Sequence, residues 1–299
     1  MKSLFTIFLF AALPFFLFAQ TLKPYTEGFS SDQELSDLKT KVKTALQAQN
    51  FEVVGEYMPA NDKYRWLIVI THDELLESVK SKGGIRGFAA TLRVAITRES
   101  DKSIVSYTTP EYWGSAYFQT DYTSVSGHYD KVAAALEQAM NEAGTFSGTM
   151  FGSEKGLEME KLQKYHYMFG MPYYDDVVEL GEFATYDDAV KTVDEKIEKG
   201  VDDMALVYKV SIPEKELTLY GFGLGGENGE SKFLPIIDIS NPKHTAFLPY
   251  EILVKNNEVI MLHGRYRIAL AFPDLTMGTF TKIMSTPGDI EDMMKKMVE

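Results

Sequence analysis

Two stretches of this chain repeat each other at a nearly constant distance, and that repetition constrains the fold more than any bulk property does. Ser103-Ile-Val-Ser-Tyr-Thr-Thr-Pro-Glu-Tyr-Trp-Gly-Ser-Ala-Tyr-Phe118 lies against Glu258-Val-Ile-Met-Leu-His-Gly-Arg-Tyr-Arg-Ile-Ala-Leu-Ala-Phe-Pro273 at an offset of 155 residues. Ile104 then faces Val259, Val105 faces Ile260, Tyr107 faces Leu262, and Ala116-Tyr117 faces Ala271-Phe272. Upstream, Phe29 and the helical pattern after it match Phe183 and its own helix at an offset of 154. A fixed offset between patterns is the mark of a duplicated supersecondary unit. With 299 residues in all, each copy is long enough to bury a core of its own.

The first copy opens with a helix over Asp32–Gln49, apolar at Leu35, Leu38, Val42, Ala45 and Leu46, the spacing of a helix packed on one face. Strands are expected at Phe51–Tyr57 and Tyr64–Ile70, then a helix starting at Thr71-His72 and stopped by Gly83-Gly84. A hairpin over Thr91–Arg98 and Ser103–Tyr107 and a helix over Tyr129–Met140 complete the unit. The second copy reads as a helix over Tyr186–Lys199, then strands at Met204–Ile212, Leu217–Phe222 and Phe233–Ile239. A hairpin over Ile252–Lys255 and Glu258–His263 follows, with a strand over Arg265–Phe272 and a terminal helix over Ile290–Val298. Hairpins flanked by helices make an α+β fold: two tandem copies of an antiparallel sheet with helices packed on one face. The repeats are set at residues 22–144 and 176–299, joined by a connecting segment, 145–175, in which Glu154–Gln163 reads as a charged helix.

Ile104-Val-Ser-Tyr-Thr-Thr-Pro-Glu-Tyr-Trp and Asp238-Ile-Ser-Asn-Pro-Lys-His, followed by Leu248-Pro-Tyr-Glu-Ile, resemble domain-of-unknown-function family 302. The resemblance covers both copies and implies a small α+β domain without an assigned activity. The first copy departs from it: Thr71-His72 stands where the pattern has Asn-Pro, and Gly87-Phe88 where it has Leu-Pro. A site shared by the family is therefore expected in the second copy.

Met1–Gln20 carries one Lys, at position 2, and then an apolar run from Leu4 to Ala19 broken by Thr6 and Pro14. That is the pattern of a secretory signal peptide, residues 1–19, cut after Ala19; the run is short for a membrane span. Export to a bacterial periplasm, or beyond the cell, is expected. The absence of cysteine suits an oxidising compartment and excludes disulfides, thiolate metal sites and cysteine nucleophiles. The formal charge of −13, from 43 acidic against 30 basic residues, disfavours nucleic acid as a partner, and no later stretch is apolar enough to span a membrane.

The candidate site residues fall in two clusters. His263, Arg265 and Arg267 alternate along the expected strand, which would put three donors on one sheet face, able to hold a carboxylate or phosphate. Tyr165, Tyr167 and Tyr174 belong to the aromatic connector Tyr165-His-Tyr-Met-Phe-Gly-Met-Pro-Tyr-Tyr174, which is too apolar for a free linker and suits the junction of the copies. Within it His166, Met168 and Met171 supply imidazole and thioether donors that suit Cu(I) or haem iron; a plain apolar plug is the alternative reading. Gly221-Phe-Gly-Leu-Gly-Gly226 has the glycines of a loose phosphate loop and reads as a strand end and turn. No motif assigns a catalytic group or a cofactor. The leading expectation is a non-enzymatic protein binding a small anionic or apolar ligand; the alternative is a structural or protein-interaction module, and an enzyme comes third.

Overall fold

The run Leu67-Ile-Val-Ile70 has no polar residue in alternation, and all four side chains are fully buried, because its strand is covered on both faces. The computed structural model describes residues 21–299; the expected signal segment 1–19 lies outside them. The chain begins with β1 (Thr21–Leu22), β2 (Tyr25–Ser31), α1 (Leu35–Ala48), β3 (Glu52–Tyr57), β4 (Arg65–Thr71) and α2 (Asp73–Lys82). It continues through β5 (Leu92–Glu99), β6 (Lys102–Thr108), α3 (Pro110–Phe118), α4 (Tyr122–Ala143), β7 (Thr149–Phe151), β8 (Leu157–Glu158) and α5 (Met159–Leu162). The remainder is β9 (Val178–Glu182), α6 (Tyr186–Lys199), β10 (Met204–Ile212), β11 (Leu217–Leu224), α7 (Glu230–Ile237), β12 (Tyr250–Lys255), β13 (Glu258–Met261), α8 (Gly264–Ala271), α9 (Met277–Lys282) and α10 (Thr286–Lys295).

The first sheet has the order β3-β4-β5-β6-β2-β7 and the second β10-β11-β12-β13-β9. Apart from β7 and the separate pair β1–β8, strands of equivalent rank in each half take equivalent places, and every pairing is antiparallel. The α+β class and the two tandem copies are thus plain in the topology. The register differs by one residue from that of the sequence comparison. Glu99 pairs with Lys102 around Ser100-Asp101, and Lys255 with Glu258 around Asn256-Asn257. Both turns place their first central residue at positive φ, Ser100 at 57° and Asn256 at 53°, as tight hairpins require. Ile104 therefore matches Ile260 and Val105 matches Met261, and a one-residue slip of this kind exchanges the two faces of a strand.

Three expected elements are corrected. Arg265–Phe272 is not a strand but helix α8, and Phe233–Ile239 is mostly helix α7. The charged helix expected at Glu154–Gln163 shrinks to the four residues of α5. In α8 the residues Tyr266 to Ala271 are all buried, so an all-round apolar helix leaves no amphipathic period to read. The aromatic strip Pro110–Phe118, unassigned from sequence, forms the equivalent helix α3 and is almost wholly buried.

In the first half, helices α1, α2 and α4 pack together on the sheet face that carries Trp66, whose ring meets Lys39 Nζ of α1 at 3.9 Å. The opposite face, with Arg65, Leu67 and Val69, is turned to the second half. There the halves exchange equivalent pieces. The short turn Gly84–Ala89, between α2 and β5, packs on β11 and β12; its counterpart Thr245–Phe247, between α7 and β12, packs on β4, β5 and β6. This is the reciprocity of an isologous dimer, enclosed in one chain. Gly87 is required by that fit, since a Cβ there would lie 2.6 Å from Leu253 Cδ1.

Candidate functional site

Arg93 and Glu251 are each the second residue of the strand that stands third in its sheet, β5 and β12, and they meet across the junction as a buried ion pair. Glu251 Oε1 accepts from Arg93 Nη2 and from the Tyr208 hydroxyl. Its Oε2 accepts from Arg267 Nη1 at 2.6 Å. Arg267 spends its other terminal nitrogen on the carbonyls of Phe247 (2.7 Å) and Pro249 (2.6 Å). Burial opposes its charge, but the Glu251 carboxylate together with Tyr117, Tyr250 and Tyr208 outweighs this and raises its pKa. Two guanidinium groups thus share one carboxylate away from water. The Nε atoms of both arginines and the hydroxyls of Tyr117 and Tyr250 have no partner among the described residues.

A second ionic contact shapes the nearby loop. Asp238, at the end of α7, pairs with Arg65 from the first half, accepts from the His244 backbone N–H at 2.6 Å, and accepts from the Thr245 hydroxyl at 2.9 Å. These bonds hold the segment 238–245 and so place His244. The imidazole packs on Phe272 (ring centroids 4.8 Å apart), Tyr25 (4.9 Å) and Phe151 (6.0 Å). It is 8% exposed, and its Nδ1 has no hydrogen-bond partner among the described residues. Burial pushes its pKa below the ordinary value, against the pull of Asp238, so the ring is neutral near pH 7 and offers one donor and one acceptor.

His244 lines a cavity of about 390 Å³ where three parts of the chain meet. Met150 and Phe151 come from β7, Ile236 and Ile239 from the end of α7 and its following loop, and Phe272 and Leu275 from the segment after α8. Ile239 stands 67% exposed at this site. The charged residues of the lining are Lys23 and Asp274. Asp274 is engaged, with Ser153 Oγ at 3.2 Å and the Glu154 N–H at 2.5 Å. The size and mixed lining are those of a small-molecule site.

The six expected ligand-binding residues do not form one site. Arg267 is buried on Glu251, Arg265 is exposed, and His263 caps α8, its Nδ1 accepting from the Arg265 N–H at 3.1 Å. The alternation that suggested a common face is lost in the helix. The tyrosines are structural ties: Tyr165 donates to Ala269 O (2.8 Å), Tyr167 to Leu275 O (3.0 Å) and Tyr174 to Ile85 O (2.7 Å). They fasten the connector to both halves, as its apolar composition suggested. His166 stacks on Tyr173 with ring centroids 4.0 Å apart, and its Nε2 lies 2.8 Å from Met171 O. Met168 is exposed and Met171 half-buried. Among the described residues no group of three or more His, Asp or Glu is placed to hold a metal.

Gly221–Gly226 is the end of β11 and a turn, as read from the sequence, and Glu227–Gly229 then lead into α7. The first residue of that helix, Glu230, is 1% exposed and already occupies the position an anion would take. It accepts from Leu224 N (3.3 Å) in its own half, and from Tyr57 OH (2.7 Å) and Ala60 N (2.7 Å) in the other. Burial pushes its carboxyl up to about 7 despite those bonds.

Sequence reasoning missed Arg93, Glu251, Glu230, Asp238 and His244 as junction residues. Asp238, His244 and Glu251 all lie in the stretches that carry the family resemblance, which was the available signal. Among the described residues no helix is long and apolar enough to cross a membrane. No family model matches the chain, and no curated protein matches it either. Among solved structures it is similar to the crystal structure of the uncharacterized conserved protein DUF302 from Bacillus stearothermophilus, the family its motifs resemble. The identity is 8%, the match covers 39% of this chain and 97% of that chain, and the TM-score is 0.34.

Proposed function

We propose that this chain, with its α+β repeats at 22–144 and 176–299, is an exported, non-enzymatic protein that binds a small ligand in the His244 cavity. The observation that carries the reading is a cavity of about 390 Å³ beside a buried imidazole with a partnerless Nδ1. Leaving such an atom unpaired costs about 1–3 kcal/mol, a cost that a hydrogen-bonding ligand offsets. The isoleucines and phenylalanines of the wall favour an apolar body, and the neutral ring favours an uncharged polar group over an ionic one. Export rests on the Met1–Gln20 pattern and on the absence of cysteine, and periplasmic residence follows from the two together.

The test is to express the full precursor in a bacterial host, purify the periplasmic protein, and compare native with denatured mass. The expected result is a mature N-terminus at Gln20 and an extra mass lost on denaturation. Ile239→Trp, which fills the cavity from an exposed position, should remove that mass without lowering the melting temperature. An apo mass for both proteins, with no small molecule shifting His244 ring resonances, would favour the interaction module instead. A cytoplasmic, unprocessed protein would reject export.

A further inference from the structure

Arg265 is the one residue of the two sequence clusters that is exposed and carries a charge, and no carboxylate meets it. Its backbone N–H bonds to His263, but its guanidinium makes no ion pair or hydrogen bond among the described residues. Every other arginine of the described residues bonds a carboxylate or a backbone carbonyl through its guanidinium. Arg265 lines, through its aliphatic stem, a small pocket of about 50 Å³ whose other walls are apolar, among them Met168, Met171, Ile268, Phe272 and Met277. Arg265 and Met171 also line an adjoining open depression of about 480 Å³. Three other polar side chains there each make a hydrogen bond. Asp176 accepts from the Tyr173 N–H at 2.8 Å, His166 is bonded to Met171 O, and His263 caps α8.

We propose that this pocket binds a short branched carboxylate, its apolar end among the methionines and its carboxylate on Arg265. An apolar hole walled in part by the stem of an arginine whose guanidinium is unpaired matches an apolar stub joined to an anion, and the planar fork of arginine suits a carboxylate. The volume sets the tail. It is about a third of the ~150 Å³ cavity that accepts benzene, room for a few carbon atoms and not for an aromatic ring. Methionine walls adapt to branched shapes, and Met168 and Met277 are 43% and 57% exposed, so they can close over the tail. The first turn of α8 adds positive potential on the same side. The site is distinct from the His244 cavity, although Phe272 and Leu275 line both.

Two sources present this chemistry, a free short-chain acid and a peptide C-terminus ending in a branched residue. The test uses the full mature protein labelled with 13C at its methionine methyls and titrated with 3-methylbutanoate. Shifts at Met168, Met171 and Met277 are expected, with the matching amide at least about tenfold weaker because it lacks the charge. Arg265→Gln should lose the acid's advantage over its amide and Arg265→Lys should recover part of it, while Ile239→Trp, at a residue that lines only the His244 cavity, leaves both unchanged. That last variant separates this site from the cavity of the proposed function. A tripeptide ending in valine that binds more tightly than the acid would assign the source to peptides; preference for the free acid would assign it to metabolites. No methyl shift at millimolar acid, equal binding of the amide, or equal binding of phenylacetate would each overturn the proposal.

Discussion

Glu230 is the residue whose titration the fold alters most usefully. Its carboxyl sits at about 7 instead of the ordinary 4.5 because burial disfavours its charge. The folded chain thus holds this proton more tightly than the unfolded one. The contribution is fully present below about pH 4.5 and is lost as pH rises through about 7, a swing of about 3 kcal/mol. Glu111, half-buried and likewise raised by burial, acts in the same direction, so the comparison of interest is with Glu230→Gln. The urea midpoint of the native protein should fall between pH 5 and 7.5, and the variant should show a shallower fall; equal slopes would place the effect elsewhere. The Arg93–Glu251–Arg267 cluster makes a second prediction. Glu251→Ala strands two buried guanidinium groups and should cost about 3–5 kcal/mol. Arg93→Met leaves the Arg267 pair intact and should cost less, so the reverse ranking in urea melts would refute the shared-carboxylate account. Arg267 was expected on a sheet face toward a ligand; its pairing with Glu251, 16 residues upstream in the second half, was not legible, and neither was that of Arg93, 158 residues from Glu251.

Elements were legible where their ends carried local chemistry. Helix α6 spans Tyr186–Lys199 as expected because both ends are marked in the sequence. The Thr185 hydroxyl accepts from the Asp188 N–H at 3.1 Å, and Gly200 stops the helix at φ 76°. Thr185→Ala should therefore cost about 1 kcal/mol, read as a lower melting temperature, whereas Thr185→Ser should cost almost nothing. Helices α7 and α8 failed for the opposite reason. Phe233-Leu-Pro-Ile-Ile237 is rich in apolar and β-branched residues with a proline inside, a strand-like composition. Its burial against the rest of the second half overrides that preference.

At the scale of the whole molecule, each half supplies a turn that fills the other, so neither core is complete alone. Calorimetry should show a single transition, and two resolved transitions would mean that the halves fold independently. Cutting the connector at Phe169, a fully exposed residue, should leave both fragments co-eluting under native conditions, since the buried ion pairs and exchanged turns remain. Fragments that separate would assign the cohesion to the connector.

The sequence by itself determined the duplication, the hairpins, the marked helix ends and the apolar connector. These depend on neighbours a few residues apart or on patterns repeated along the chain. It also singled out Arg265 as a possible anion binder, without the apolar pocket beside it. Only the tertiary structure decided the register of the copies, the pairing of Arg93 with Glu251, the burial of Glu230 and the cavity at His244. Each of those joins groups far apart in the chain, and their energies come from exclusion of water at the junction, which no local pattern records.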